Sequence, residues 1–131
     1  MDSIWSRASL WLLRVSVVSP SLSPIDVDFN IAAIIAALAE ASAKGVQLAV
    51  LPELATTGYS CGDFFGQAYL IRASNAALTA IAATTLEGPA VVVGAAVMRA
   101  GRLYDCAVMC AGGKITGVVP KINLANRGEF Y

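Results

Sequence analysis

Two charged residues, Glu53 and Lys121, each follow a proline that ends an apolar run of the sequence. Proline has no backbone N–H and cannot donate to a sheet ladder, so Pro52 and Pro120 predict the carboxyl ends of two strands. Side chains at such strand ends in an open α/β sheet meet ligands, because the loops there are released from core packing. A carboxylate in this place is a candidate general base. We expect the two strands to lie side by side, so that Glu53 and Lys121 converge on one pocket.

Each of these residues also has a purely structural interpretation. A glutamate at a strand end can cap a loop or form a salt bridge there, and a lone Pro-Lys pair is typical of an exposed loop. The two residues by themselves therefore leave open whether this end of the sheet performs chemistry.

The elements that would position Glu53 form a strand, helix, strand unit. Residues 12–18 predict a buried first strand, and residues 47–51 predict the apolar strand that ends at the first of the two prolines. Between them, apolar residues recur at helical spacing, with Asn30 or Asp28 as the N-cap and a glycine as the left-handed stop. The apolar stripe of this helix consists of Ile31, Ile34, Ile35 and Leu38. Such a unit places its two strands in parallel.

The second half of the chain predicts a helix followed by three strands. Residues 68–85 carry apolar residues at helical spacing, and residues 90–98, 103–110 and 115–119 predict strands joined by glycine-containing turns. Gly94, inside the first of these strands, is small enough to let another element approach closely. This order of elements indicates the first half of an α/β sandwich.

The composition excludes several classes of function. The 131 residues are 57% hydrophobic and 14% charged, against about 45–50% and about 25% in typical domains, so much of this chain is expected to be covered. Nine basic and nine acidic residues balance, and no Lys/Arg run provides the footprint of a nucleic-acid or anionic-membrane partner. The sequence contains no histidine, which removes Ser-His and Cys-His pairs and most zinc sites, so no metal is expected.

The cysteines indicate a reducing compartment. Cys61, Cys106 and Cys110 form an odd set without Cys-x-x-Cys spacing, which favours reduced, buried thiols in a cytoplasmic protein. The most membrane-like stretch, residues 10–18, is interrupted by Arg14 and is shorter than the ~20 apolar residues that span a bilayer. We therefore expect a cytoplasmic protein that binds neither nucleic acid nor membrane.

The sequence around both prolines resembles one family. Pro-Glu-Leu at residues 52–54, followed by Thr-Gly-Tyr-Ser-Cys-Gly-Asp-Phe-Phe at residues 57–65, closely resembles the first catalytic motif of the nitrilase (carbon-nitrogen hydrolase) superfamily. The version it resembles is that of the glutaminase domains of glutamine-dependent NAD synthetases. Val-Val-Pro-Lys at residues 118–121, with the residues up to Tyr131, is similar to the family's second signature. The resemblance implies a nitrilase-like α-β-β-α sandwich, of which this chain is the front half.

The resemblance also implies roles for single residues. Glu53 is the general base toward a cysteine thiol, Lys121 stabilises the tetrahedral oxyanion, and Glu129 supports the lysine and the substrate. Tyr59 is assigned to substrate binding. Because a free glutamate has a pKa of about 4.3, the site is expected to be partly desolvated so that the pKa of Glu53 rises. The ammonium of Lys121 is expected to stay charged beside a carboxylate.

The chain departs from the family at the nucleophile. The family's nucleophilic cysteine lies on a later strand, and none of Cys61, Cys106 and Cys110 stands in its place. Ala125 and Arg127 also stand where the family has a proline and a substrate-associated tyrosine. The expected function is therefore the N-terminal fragment of a glutamine amidohydrolase domain that supplies ammonia for NAD synthesis from deamido-NAD, inactive when alone.

The expected domain organisation is an uninformative N-terminal extension at residues 1–11 and a partial carbon-nitrogen hydrolase domain at residues 12–131, truncated at its C-terminal side. The resemblance implies glutamine as the small-molecule substrate of the full domain and a homo-oligomer in the full-length protein. No cofactor is expected in this fragment, since ATP and deamido-NAD belong, by the resemblance, to an absent synthetase domain. Two alternatives stay open: a fragment of another nitrilase-type amidase, and a non-catalytic α/β interaction module.

Overall fold

A computed structural model describes residues 12–124 of the chain. The strands are β1 (Val15–Val17), β2 (Leu48–Val50), β3 (Ala90–Arg99), β4 (Arg102–Ala111) and β5 (Lys114–Pro120), and the helices are α1 (Val27–Ala43) and α2 (Ala68–Thr84). A short 3₁₀ turn, Gly62–Gly66, precedes α2 and is not indicated by the sequence patterns. The predicted order of strand, helix, strand, helix and three strands is confirmed.

The described strands form one sheet in the order β1-β2-β3-β4-β5. β1, β2 and β3 pair in parallel, whereas β4 is antiparallel to both β3 and β5. Because β4 reverses the direction and β5 reverses it again, β2 and β5 point the same way. Their carboxyl ends therefore lie at the same edge of the sheet, with β3 and β4 between them. The expectation that these two strands are neighbours is wrong.

Both helices cover the same face of this sheet. α1 contributes Ile34 and Leu38 to a buried apolar cluster, and α2 contributes Leu78 and Ile81 to the same cluster. Alternate residues of the central strands join it, as the period of two in a strand requires. These residues are Val91, Val93 and Ala95 of β3 and Cys106, Val108 and Cys110 of β4. The predicted helical stripes are confirmed except at Ile35, which is 36% exposed. Within residues 12–124, neither helix has the length and apolar character that crossing a bilayer needs.

The start of α1 differs from the prediction. Asp26 is the N-cap, and its carboxylate accepts a hydrogen bond from the backbone N–H of Phe29 at 3.0 Å. The helix therefore begins at Val27, which is buried in a second apolar cluster together with residues of α2. Burial of Val27 stabilises a helix that begins before Asp28 and Asn30, so neither of these residues acts as the cap. Asn30 is instead completely buried.

The opposite face of the sheet is apolar and open. Residues paired across neighbouring strands lie on the same face, so Val17, Val50 and Val92 form one row. Ala107 and Val119 form another row on this face. Val17 is 84% exposed and Val119 is 66% exposed. The expectation of a buried first strand is therefore wrong, because β1 is an edge strand whose outer face is uncovered in the described part of the chain.

Candidate active site

The chain leaves β2 by turning across β3. The backbone N–H of Gly94 on β3 donates to the carbonyl of Pro52 at 3.1 Å. A Cβ atom on Gly94 would lie 2.5 Å from the Cα of Glu53 and from the N of Leu54. The missing side chain of Gly94 thus lets Glu53 pass over β3 toward β4, and the close approach predicted at this glycine is confirmed.

Buried polar side chains hold the loop that follows β2. Leu54 in this loop has a φ of 52°, a conformation that L side chains rarely adopt, so the backbone needs support from outside. Asn30 of α1 supplies it: its amide group donates to the carbonyls of Ser23 at 2.8 Å and Thr56 at 3.3 Å, and accepts from the N–H of Ser23 at 2.7 Å. The hydroxyls of Thr56 and Ser74 of α2 lie 2.7 Å apart. The loop is therefore fixed to both helices.

Lys121 reaches the same place from the end of β5. Its backbone N–H donates to the carbonyl of Asp105 on β4 at 2.8 Å, so it continues the β4–β5 ladder beyond Pro120. Its Nζ lies 2.5 Å from Oε1 of Glu53. Glu53 and Lys121 thus meet although two strands separate β2 from β5, because the loop after β2 crosses β3 at Gly94.

An open cavity of about 410 Å³ lies beside this ion pair. Its floor is the open face of the sheet, and its rim carries the ionisable side chains of Glu53, Asp105 and Lys121. Val50, Val92, Gly94, Ala107 and Val119 contribute to the floor, and Leu51, Cys106 and Pro120 complete the lining. This volume is within the range of about 300–1,000 Å³ for small-molecule sites. A carboxylate and an ammonium in contact at its rim can move a proton and stabilise a developing negative charge.

The contacts set the charges of the pair. The pKa of Lys121 is raised, with the hydrogen bond to Glu53 as the largest cause, so the ammonium form is retained. The pKa of Glu53 is lowered, first by a hydrogen bond from Asp105 and then by one from Lys121, while burial acts in the opposite direction. The expectation that desolvation raises the pKa of Glu53 is therefore wrong for the described site. Its side chain is still 36% exposed, so desolvation is incomplete and the two hydrogen bonds prevail.

Asp105 is a residue of this site that the sequence patterns missed. Its side chain is 6% exposed. Its pKa is raised to about 6, first by burial and then by the hydrogen bond with Glu53 and the negative charge of that residue. The available signal was an acidic residue inside an otherwise apolar strand, between Tyr104 and Cys106. A carboxylate in such a position must reach solvent or a polar partner.

All three cysteines of the chain are buried. Cys61 lies in the second apolar cluster, and its thiol donates to the carbonyl of Thr57 at 3.2 Å. Cys106 and Cys110 belong to the main core, and burial raises the pKa of both thiols. A raised pKa keeps a thiol protonated and therefore weakly nucleophilic. The prediction that these thiols are buried is confirmed.

The remaining predicted site residues are only partly described. Tyr59 is 48% exposed, and it contributes to the raised pKa of Lys121, although less than the two carboxylates do. Its role in substrate binding stays a prediction. Glu129, Ala125 and Arg127 lie outside the described residues. Within residues 12–124, no group of three or more His, Cys, Asp or Glu side chains could hold a metal ion.

Comparison with known proteins gives a consistent result. The family described as Carbon-nitrogen hydrolase matches residues 14–131. A glutamine-dependent NAD(+) synthetase of Mycobacterium leprae (strain TN) is 32% identical over 128 residues, which are 97% of this chain and 19% of that protein. The crystal structure of a glutamine-dependent NAD(+) synthetase from Cytophaga hutchinsonii matches with a TM-score of 0.82 and 31% identity, over 87% of this chain and 20% of that one. The chain thus spans about a fifth of the length of these synthetases.

A smaller enzyme shares the same fold. The structure of an amidase from Nesterenkonia sp. matches with a TM-score of 0.75 and 24% identity, over 89% of this chain and 45% of that one. At this identity the likeness concerns the fold alone. Together with the synthetase structure, it confirms the predicted fold class, a nitrilase-like α/β sandwich of which this chain forms one part.

Proposed function

This chain belongs to the carbon-nitrogen hydrolase family, and we propose that it is the N-terminal part of a glutamine amidohydrolase domain that supplies ammonia for glutamine-dependent NAD synthesis. The observation that carries the proposal is the contact of Glu53 with Lys121 at the rim of the cavity. The two side chains are brought together from positions 68 residues apart. A base beside a fixed positive charge is what cleavage of an amide needs. The likeness to two synthetases over nearly the whole chain supports glutamine as the amide.

In the proposed reaction, Glu53 accepts the proton of a cysteine thiol, and the thiolate attacks the side-chain amide carbon of glutamine. Lys121, whose raised pKa keeps it charged, donates to the oxyanion of the tetrahedral intermediate. The proton held by Glu53 passes to the leaving nitrogen, ammonia departs, and a thioester remains. Glu53 then takes a proton from the water that attacks the thioester, which releases glutamate and returns the thiol.

We propose that the thiol is none of the three cysteines of this chain. Cys61 lies under the loop and is engaged with backbone carbonyls of that loop. Cys106 and Cys110 belong to the core under the helices, and their raised pKa values oppose thiolate formation. Residues 12–131 are accordingly proposed to be a partial hydrolase domain, inactive until further residues of the fold supply the nucleophile.

The other parts of the proposal concern the whole protein. Glutamine is the proposed small-molecule substrate, with Tyr59 at its binding site. ATP and deamido-NAD are proposed as ligands of a synthetase domain outside this chain, and a homo-oligomer as the assembled form. The Nesterenkonia amidase shares the fold alone, so a different amide substrate has less support than glutamine.

A chimera tests this function. Residues 12–124 would replace the matching segment of the Cytophaga hutchinsonii synthetase, and NAD(+) formation would be followed with either glutamine or ammonium chloride as the nitrogen source. We expect Glu53→Gln to lower the glutamine-driven rate by about 10²-fold or more, in line with the usual contribution of a positioned base. The ammonium-driven rate should not change, because amide hydrolysis is bypassed.

Glu40→Gln is the matched control for this experiment. It removes an exposed carboxylate of α1 that pairs with Lys44, the residue after the helix, away from the cavity. The control should retain the glutamine-driven rate of the parent chimera. Equal glutamine-driven rates in the Glu53 and Glu40 variants would show that Glu53 is a structural residue.

A further inference from the structure

Asp105 lies at the rim of the cavity without a part in the reaction above. Its side chain is 6% exposed, and within the described residues its Oδ2 atom has no hydrogen-bond partner. This atom lies 3.9 Å from Nζ of Lys121, which is beyond hydrogen-bonding distance. A buried carboxylate oxygen without a donor is costly if the group is ionised, so its protonation state requires an explanation.

The sheet fixes Asp105 between the two proposed reacting side chains. On β4 it pairs with Ala96 of β3, and its carbonyl accepts the backbone hydrogen bond from Lys121. Side chains two residues apart on a strand share a face, so Asp105 projects to the same face as Ala107, toward the cavity. The loop that crosses β3 brings Glu53 to the same ammonium, since Nζ of Lys121 lies 2.5 Å from Oε1 of Glu53 and 3.9 Å from Oδ2 of Asp105.

The charged groups that face Asp105 come from two elements. Glu53 approaches from the loop after β2 and Lys121 from the end of β5. The thiol of Cys106, the next residue on β4, belongs to the opposite face of the sheet and is influenced from there by the charge of Asp105. Tyr59 also contributes to the raised pKa of Lys121. The ammonium of Lys121 thus lies near two carboxyl groups, those of Glu53 and Asp105. If both are ionised they repel each other, whereas a proton on Asp105 turns their contact into a charge-assisted hydrogen bond.

We propose that Asp105 is a positioning residue that works in its protonated form, donating a hydrogen bond to the Glu53 carboxylate and so holding it against Lys121. Burial and the proximity of Glu53 raise the pKa of Asp105 to about 6, so this proton is lost near neutral pH. The Glu53 carboxylate then loses a donor, and two carboxylates compete for one ammonium. The effect of Asp105 on catalysis rests on the proposed function, whereas the hydrogen bond from protonated Asp105 to Glu53 does not depend on that function.

A carbon-13 NMR titration of the side-chain carboxyl groups in the 131-residue chain tests the proposal. The Asp105 signal should titrate near pH 6, about two pH units above the ordinary value of 3.8. The Glu53 signal should titrate below the ordinary 4.5. Glu53→Gln removes the neighbouring negative charge, so the midpoint of Asp105 should fall. Asp28→Asn, at an exposed position in the first turn of α1, is the control and should move neither signal.

Two substitutions of Asp105 test whether the residue acts as a hydrogen-bond donor to Glu53 or only fills space beside it. Asp105→Ala removes the donor, so the midpoint of Glu53 should rise. Asp105→Asn keeps an N–H donor of nearly the same shape, so the midpoint of Glu53 should stay low. An Asp105 midpoint at the ordinary value would overturn the proposal, as would a Glu53 midpoint that is the same in the Ala variant and the wild type.

The pH dependence of stability gives a second readout. An acid whose pKa is higher in the folded chain than in the unfolded chain stabilises the fold at low pH, and this contribution is lost as the pH rises from about 4 to about 6. Over that interval the urea midpoint of the wild type should fall relative to that of Asp105→Asn, which cannot titrate. Parallel curves would contradict the proposal. Neither readout needs turnover, so a failure here is distinct from a failure of the chimera to hydrolyse glutamine.

Discussion

We expect Gly94→Ala to displace the loop that carries Glu53. The added Cβ would lie 2.5 Å from the Cα of Glu53 and from the N of Leu54, whereas real Cβ atoms essentially never come within 3.0 Å of such neighbours. Both neighbours are backbone atoms, so rotation of a side chain cannot relieve the collision. Overpacking costs about 1–3 kcal/mol, and collision with backbone places this case at the upper end, about 3 kcal/mol of unfolding free energy.

Gly117→Ala on β5 is the matched control for Gly94→Ala. The nearest atom to its added Cβ is the Cβ of Met109, at 3.9 Å, which is ordinary contact. Both substitutions reduce the freedom of the unfolded chain equally, so the difference between them isolates the collision. With a urea m-value of about 1–3 kcal/mol/M, a loss of about 3 kcal/mol lowers the unfolding midpoint by roughly 1–3 M.

The same pair of variants reports on the site itself. The hydrogen bond to Glu53 is the largest cause of the raised pKa of Lys121, so displacing the loop in Gly94→Ala should lower that pKa. An NMR titration of the lysine side chain measures this, and Gly117→Ala should leave the pKa unchanged. Equal urea midpoints in the two variants, with the same Lys121 titration, would refute the crossing of the loop over β3.

Asn30→Ala should lower the free energy of unfolding by about 2–4 kcal/mol in urea, because it leaves the backbone groups of Ser23 and Thr56 that Asn30 binds without a partner. Asn75→Ala, at an exposed position of α2, should stay within about 0.5 kcal/mol of the wild type, and equal losses would show that the contacts of Asn30 are dispensable. The chain alone should release ammonia from glutamine only at the background rate, and a thiol-reactive glutamine analogue should leave its mass unchanged. Stoichiometric labelling of Cys61 would identify a nucleophile within this chain.

The local features of the site could be predicted because their causes act over a few residues. Proline cannot donate to a sheet ladder wherever it occurs, so Glu53 and Lys121 could be placed close to strand ends from the sequence. The order of the strands could not, because pairing joins segments far apart in the chain. Gly94 indicated a close approach but not which segment approaches. For this reason the expectation that β2 and β5 are neighbours was wrong. Glu53 and Lys121 still meet, because the loop after β2 crosses β3 at Gly94.

Asn30 and Asp105 were misread or missed because their roles depend on burial. Asn30 stands near two other candidate caps, Asp26 and Asp28, and all three residue types suit that position. The packing of Val27 decides between them, and no local pattern reports that packing. The same holds for Asp105, since its raised pKa follows from desolvation and from a carboxylate that arrives from another part of the chain.

The lowered pKa of Glu53 constrains how this site can supply a base. Hydrogen bonds from Asp105 and Lys121 lower that pKa, and burial raises it. Covering the open cavity would increase desolvation without removing either donor, so the pKa of Glu53 would rise. Loss of the proton from Asp105 would raise it further, because the largest of the lowering contributions disappears. On our proposal, protonated Asp105 holds Glu53 in place as a weak base, and ionised Asp105 leaves Glu53 a stronger base that is less firmly held, with the change near pH 6.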